Sequence, residues 1–328
     1  MISPGLILML VASAPLARQA AAGGTQVLLV TGLSGEPRFA AAFHAAAAAI
    51  YDAAKSRWVR SDSSVIYLAE DPAQDPARIR ARATRDCVAS AIASMGARSA
   101  PGDVVLIVLI GHGSGQGTDS RLNLPGPDAT AADFATWLAP LSGRIVVLVN
   151  ASSGSGDFVA ALSAKDRVVV TATKSAMERN ETTFGEYFAK ALVSELADAD
   201  RDGRVTLLEA FDFTRREVAR GYEAKNLLAT EHALLDDDGD GKGSAAPGAA
   251  PGDGALARTV AFGTAPLPTD PRVATLVAER RALEGQVDAL RRRKATMDST
   301  AYQRELERLL LEIATRSAAI RAATGQKP

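Results

Sequence analysis

Short apolar runs set the pattern of this chain: Val27–Val30, Val65–Leu68, Val104–Ile110, Ile145–Val149 and Val168–Val170. Each is continuous rather than alternating, as strands buried on both faces should be. Helix-like stretches lie between them, at Phe39–Ala54, Ala77–Met95, Ala131–Leu138, Asp157–Leu162 and Phe184–Leu196. Strand–helix alternation with right-handed crossovers predicts an α/β fold with a doubly wound, mostly parallel sheet. The 328 residues, 47% of them hydrophobic, suffice for one large core. In such sheets, sites form beyond the C-terminal ends of the strands. The residues just after each run are therefore the ones to read most closely.

Charge and composition exclude several classes. Lys+Arg (37) nearly cancels Asp+Glu (38), so nothing draws the chain to nucleic acid or to an anionic membrane. A lone cysteine, Cys87, excludes an intrachain disulfide framework and a Cys-based zinc site. The histidines are His44, His112 and His232, so His-dependent chemistry has few candidates. Leu6 to Leu16 is almost wholly apolar, and small residues including Ala20–Ala22 follow. A stretch this short suits a signal-peptide core rather than a membrane span. Residues 1–22 are expected to be a signal peptide, and the protein to be exported, either periplasmic or secreted, with no membrane span after its removal.

The most specific motif is D-A-D-R-D-G-R-V-T-L-L-E at residues 198–209. Asp198, Asp200 and Asp202 stand at loop positions 1, 3 and 5, and Gly203 stands where the chain must turn sharply. The Arg204 carbonyl falls at position 7, Thr206 at position 9, and Glu209 at position 12, where a bidentate carboxylate completes the shell. Ca²⁺ takes six to eight hard oxygens, and this spacing supplies them from one short loop; Mg²⁺ with retained waters also fits such a loop. Helical periods flank it: Phe184, Tyr187, Phe188, Leu192 and Leu196 before, then Leu208, Phe211, Val218 and Tyr222 after. Residues 184–222 thus resemble an EF-hand.

A second acidic loop, Asp236-Asp237-Asp238-Gly239-Asp240-Gly241, repeats positions 1, 3, 5 and 6 through Asp236, Asp238, Asp240 and Gly241. Position 12 falls on Pro247, and no helix can follow so Gly/Pro-rich a segment. This loop is either an incomplete calcium loop or a solvated acidic turn. Residues 243–271 then read as a Gly/Ala/Pro-rich linker, with Leu256–Phe262 as a strand returning to the sheet. From residue 272 to 323 the spacing becomes heptad-like. Leu276, Leu283, Val287, Leu290 and Met297 form one seam, and Tyr302, Leu306, Leu309, Ile313 and Ile320 another. Asp298-Ser299-Thr300 reads as the break between them. A helical hairpin or bent coiled coil is expected, serving self-association or partner binding.

Two strand ends carry the remaining chemistry. The third run ends in Gly111-His112-Gly113-Ser114-Gly115, and the fourth in Val149-Asn150-Ala151-Ser152-Ser153-Gly154. A His at one strand tip and small residues at the next resemble the caspase-like superfamily, especially its legumain-type peptidases, over residues 25–225. The resemblance implies that His112 matches the family's histidine, that Ser153 and Gly154 match its Ser-Gly, and that Ala151 stands where the nucleophilic Cys belongs. The domain at residues 23–242 is then expected to be a calcium-binding, catalytically degenerate peptidase homologue that binds a peptide or protein. An active peptidase remains open, with Ser152 or Ser153 as nucleophile, His112 as general base and amides near Gly113 as oxyanion donors. A calcium-stabilised structural protein is the third reading. Gly32-Leu33-Ser34-Gly35-Glu36 lacks phosphate-loop spacing and a Walker Lys, and reads as an ordinary turn.

Overall fold

The computed structural model describes residues 24–59, 61–116, 119–201, 203–248, 252–263, 270–292, 294 and 297–324. The expected signal peptide and Asp202 lie outside the described residues. The strands are β1 (Thr25–Thr31), β2 (Val65–Ala69), β3 (Ala81–Arg82), β4 (Val104–Ile110), β5 (Gly113–Gln116), β6 (Asp119–Leu122), β7 (Ala129–Thr130), β8 (Ile145–Asn150), β9 (Arg167–Thr171), β10 (Arg204–Thr206), β11 (Leu234–Asp236) and β12 (Ala261–Gly263). The α-helices are α1 (Pro37–Ala53), α2 (Arg85–Arg98), α3 (Ala131–Leu138), α4 (Phe158–Leu162), α5 (Phe184–Val193), α6 (Leu207–Ala224), α7 (Pro271–Arg292) and α8 (Ser299–Thr324).

The main sheet has seven strands in the order β11-β9-β8-β4-β1-β2-β3. All its pairings are parallel except the edge strand β11, which runs antiparallel to β9. The reason for the continuous apolar runs is visible in the core. Val27 and Leu29 pack into one hydrophobic cluster with residues of α1, α5 and α6, while Leu28 and Val30 pack into another with α2, α3 and α4. Leu106, Val108 and Ile110 divide from Val105, Ile107 and Leu109 in the same way. The central strands β1, β4, β8 and β9 are therefore buried against a helix layer on both faces, which is why their runs are apolar without alternation. Strand order reverses between β1 and β4, which puts a crevice beyond their C-terminal ends.

Several expected boundaries shift. The helix expected over Ala77–Met95 begins only at Arg85, because Ala81–Arg82 form the edge strand β3 and Thr84 caps the helix through its side chain. The helix from Phe184 stops at Val193 rather than Leu196, and Leu196 is exposed on the short turn that follows. Leu256–Phe262 does not return to the main sheet. Its end forms β12, which pairs antiparallel with β10 in a separate ribbon, while Trp58 donates to the Gly263 carbonyl (3.1 Å) and packs at a tilt against Phe262. Ala257, Val260 and Phe262 are core residues, so this part of the Gly/Ala/Pro-rich stretch is packed rather than free. The heptad seams do form a hairpin: Leu283, Val287, Leu290 and Leu309 make a small core of their own, and Arg316 bridges to Glu279 (2.6 Å) across it.

Local capping fixes α3. Thr130 and Asp133 form a reciprocal capping box, and Asp133 also pairs with Arg85 of α2. The Arg85 hydrogen bond pulls the Asp133 carboxyl from 3.8 down to about 2. A folded value below the unfolded one gives stability that is present above pH ~4 and lost as pH falls through about 2. Asp133→Ala should cost about 1 kcal/mol in urea unfolding at pH 7. That cost should shrink at the acid end, and a cost independent of pH would be inconsistent with this pairing.

Candidate metal loops and the strand-end cleft

β4 and β8 are neighbours, with Leu109 opposite Asn150, and Ala151 N–H donates to the Leu109 carbonyl (2.8 Å). The two strand-end motifs are thus side by side. Beyond them lies a cleft of about 160 Å³ lined by α1 residues Phe39, Ala42 and Phe43, by His112 and Ala151, and by Glu181–Thr183, Gly185 and Glu186 at the start of α5. The His112 ring stands edge-on to Phe39 (4.6 Å between centroids) and Phe43 (5.3 Å). Ala151, 2% exposed, lines the same cleft with its methyl group beside Gly185.

The serines are placed differently. Ser152 is 0% exposed, and its hydroxyl donates to Asn150 Oδ1 (2.7 Å). Ser153 is 2% exposed; its Oγ accepts from Gly113 N–H (3.1 Å) and donates to the Gly113 carbonyl (3.3 Å). Neither hydroxyl lines the cleft or bonds the His112 ring. The Gly113 N–H, an expected oxyanion donor, is spent on Ser153. A Cβ at Gly113 would lie 2.1 Å from the Ser153 carbonyl oxygen, so only glycine lets the two turns approach this closely.

Residues that the sequence pattern did not single out build the cleft wall. Thr182 Oγ1 donates to the Ala151 carbonyl (2.6 Å). Glu231, 5% exposed, accepts from Thr183 N–H, Thr183 Oγ1 and Phe184 N–H and so caps the start of α5. Burial pushes the Glu231 carboxyl up, and these donors draw it back. Such an anchor sits in an aperiodic polar stretch and leaves no sequence signal. His232 bonds Glu178 (2.5 Å), and His44 bonds Tyr67, whose hydroxyl burial pushes up to about 12. Cys87 lies half-buried on α2, packed against the core. The Gly32–Glu36 turn binds a carboxylate of its own: Ser34 N–H and Oγ both donate to Glu70.

The first acidic loop joins α5 to α6. Carboxylate oxygens of Asp198, Asp200 and Glu209 lie within 4.8 Å of one another. Gly203 holds φ +82°, and its N–H donates to Asp198 Oδ2 (2.9 Å), closing the turn. Arg204 and Thr206 lie in β10, opposite Gly263 and Ala261. Thr206 caps α6, with Glu209 Oε2 accepting from Thr206 N–H and Oγ1 at 2.8 Å each and Glu209 Oε1 accepting from Ala199 N–H (2.9 Å). The donors are hard oxygens on a tight loop, the chemistry that suits a divalent cation such as Ca²⁺. In the second loop, oxygens of Asp236, Asp238 and Asp240 also lie within 4.8 Å of one another. That loop sits at the opposite end of the sheet from the cleft, since Asp236 pairs opposite Val169 near the start of β9.

No known family model matches the chain, and no curated protein is found to be similar to it. What the geometry defines is an α/β protein with a mostly parallel seven-stranded sheet, a strand-end cleft and two acidic loops. Among the described residues, no helix is long and apolar enough to cross a membrane.

Proposed function

We propose that this chain is an exported, calcium-binding homologue of the caspase-like and legumain-type peptidases that has lost its nucleophile and uses the old cleft to bind a peptide. The observation that carries the reading is that His112 and Ala151, which has no nucleophile, line one cleft beyond the C-terminal ends of β4 and β8. The buried, bonded hydroxyls of Ser152 and Ser153 favour it over a serine peptidase. The loop at 198–209 acts as an EF-hand, its ion held by Asp198, Asp200 and Glu209 with the remaining oxygens of the loop. The chemistry of the cleft suggests what enters. Its floor is apolar, from Phe39, Phe43 and Ala46, and the exposed carboxylates of Glu181 and Glu186 stand at its rim. A peptide side chain with an aliphatic stem and a cationic head fits that arrangement.

A peptide array tests the reading. Wild type should retain Lys- or Arg-containing peptides without cleaving them, and Ala42→Trp should abolish retention. Ala42 is exposed and lines the cleft, so the indole fills the space without entering the core. Cleavage by wild type that disappears in His112→Ala would overturn the degenerate reading. Retention untouched by Ala42→Trp would move the binding surface elsewhere.

A further inference from the structure

The second acidic loop holds a feature that its own hydrogen bonds do not explain. Asp236 ends β11 at the sheet edge and is 1% exposed. Its Oδ1 is shut away from water and has no hydrogen-bond partner. A buried carboxylate oxygen without a donor is costly, and in native structures such an atom points to a water or an ion. Asp236 also offers an oxygen to the point where the exposed carboxylates of Asp238 and Asp240 converge.

Three further carboxylates, Asp238, Asp240 and Asp253, surround Asp236. Burial pushes the Asp236 carboxyl up, Ser163 and the Gly239 backbone draw it down, and the charges of Asp238 and Asp240 raise it. Asp253, which accepts from Asp237 N–H (2.9 Å), is pushed up to about 6 by burial, with Asp238, Asp236 and Asp237 adding to the effect. The loop is nevertheless held in shape. Leu235 and Ser244 exchange backbone hydrogen bonds (3.0 and 2.8 Å) across its base. Gly239 and Gly241 take φ of +84° and +77°, and Gly241 N–H donates to Ser163 Oγ (2.9 Å). Folding therefore brings these like charges together and fixes them there.

We propose that Asp236, Asp238 and Asp240 form a second divalent-cation site, with Asp236 as the buried anchor and water completing the shell on the exposed side. Three carboxylates and an open face suit Ca²⁺, which accepts flexible oxygen coordination, better than a soft metal. Pro247 at position 12 supplies no side-chain ligand, so this site is expected to be weaker than the loop at 198–209. The proposal stands apart from the reading of that first loop.

Native mass spectrometry of the full chain in millimolar CaCl₂, checked by equilibrium dialysis, separates the two sites. Wild type should carry two ions, Glu209→Gln one, and the double variant Asp238→Asn/Asp240→Asn one. Both substituted side chains of the double variant are exposed, so its far-UV spectrum should match wild type. Asp238→Lys gives an independent check, since a tethered ammonium replaces the ion's charge; it too should carry one ion. An unchanged ion count in both Asp238 variants overturns the proposal. One ion in wild type that is lost only in the Asp238 variants supports it while removing the first loop. No bound ion at all removes both.

Discussion

Replacing Asp237 by Ala is expected to lower the unfolding free energy by about 3 kcal/mol, because two hydrogen bonds to a charged acceptor vanish together. Asp237 is 8% exposed, and its two carboxylate oxygens accept separately: Oδ1 from Gly254 N–H and Oδ2 from Ala257 N–H, each at 2.7 Å. Those N–H groups belong to a segment made of turns, with no ladder to take them up. Asp237→Asn should cost roughly half as much, since its carbonyl can still accept one bond while its amide group faces the other donor. Urea unfolding in EDTA keeps any metal effect out of the comparison. A loss under about 0.5 kcal/mol for the Ala variant would mean that water satisfies these amides and that the clamp is unimportant.

A thiol at position 151 should react as a histidine-activated one. In Ala151→Cys, alkylation by iodoacetamide at pH 7 is expected to run about tenfold faster than in Ala151→Cys/His112→Ala. A free thiol near pKa ~8.5 is only a few per cent thiolate at that pH, whereas a neighbouring imidazolium stabilises the anion. The midpoint of the rate against pH should fall correspondingly below ~8.5. Peptide mapping separates this site from Cys87. His112 and residue 151 line the same cleft, where edge contacts with Phe39 and Phe43 hold the imidazole ring. Turnover of peptides should not return with the thiol, because the Gly113 N–H is already given to Ser153 and is not free for an oxyanion. Equal alkylation rates in the two variants would remove His112 from this chemistry.

Much of the central architecture was legible because it rests on burial. The runs from Val27 to Val170 are strands flanked by helices on both faces, and apolar continuity has few other causes. The hairpin at the C-terminal end was equally legible from its heptad seams. What escaped was structure built from hydrogen bonds rather than apolar period. β11 is only Leu-Leu-Asp, too short for any periodic signal, and it takes its place through pairing with β9. The stretch 243–271 reads as a linker because Gly, Ala and Pro carry no apolar period, yet the Asp237 carboxylate gathers the Gly254 and Ala257 amides, and Ala257 is buried. At the strand ends the residue types were visible, but the rotamers of Ser152 and Ser153 depend on Asn150 and Gly113, and only the folded turns decide them.

The route of the chain between the acidic loops has a thermodynamic consequence. Asp237 in the second loop fastens the start of the 252–263 segment, and the end of that segment, β12, pairs with β10 inside the first. A single stretch of polypeptide is therefore buckled at one loop and zipped to the other. Restricting either end reduces the conformational freedom left to be lost at the opposite one. A substitution that unfastens this segment at one loop is therefore expected to loosen the other loop as well.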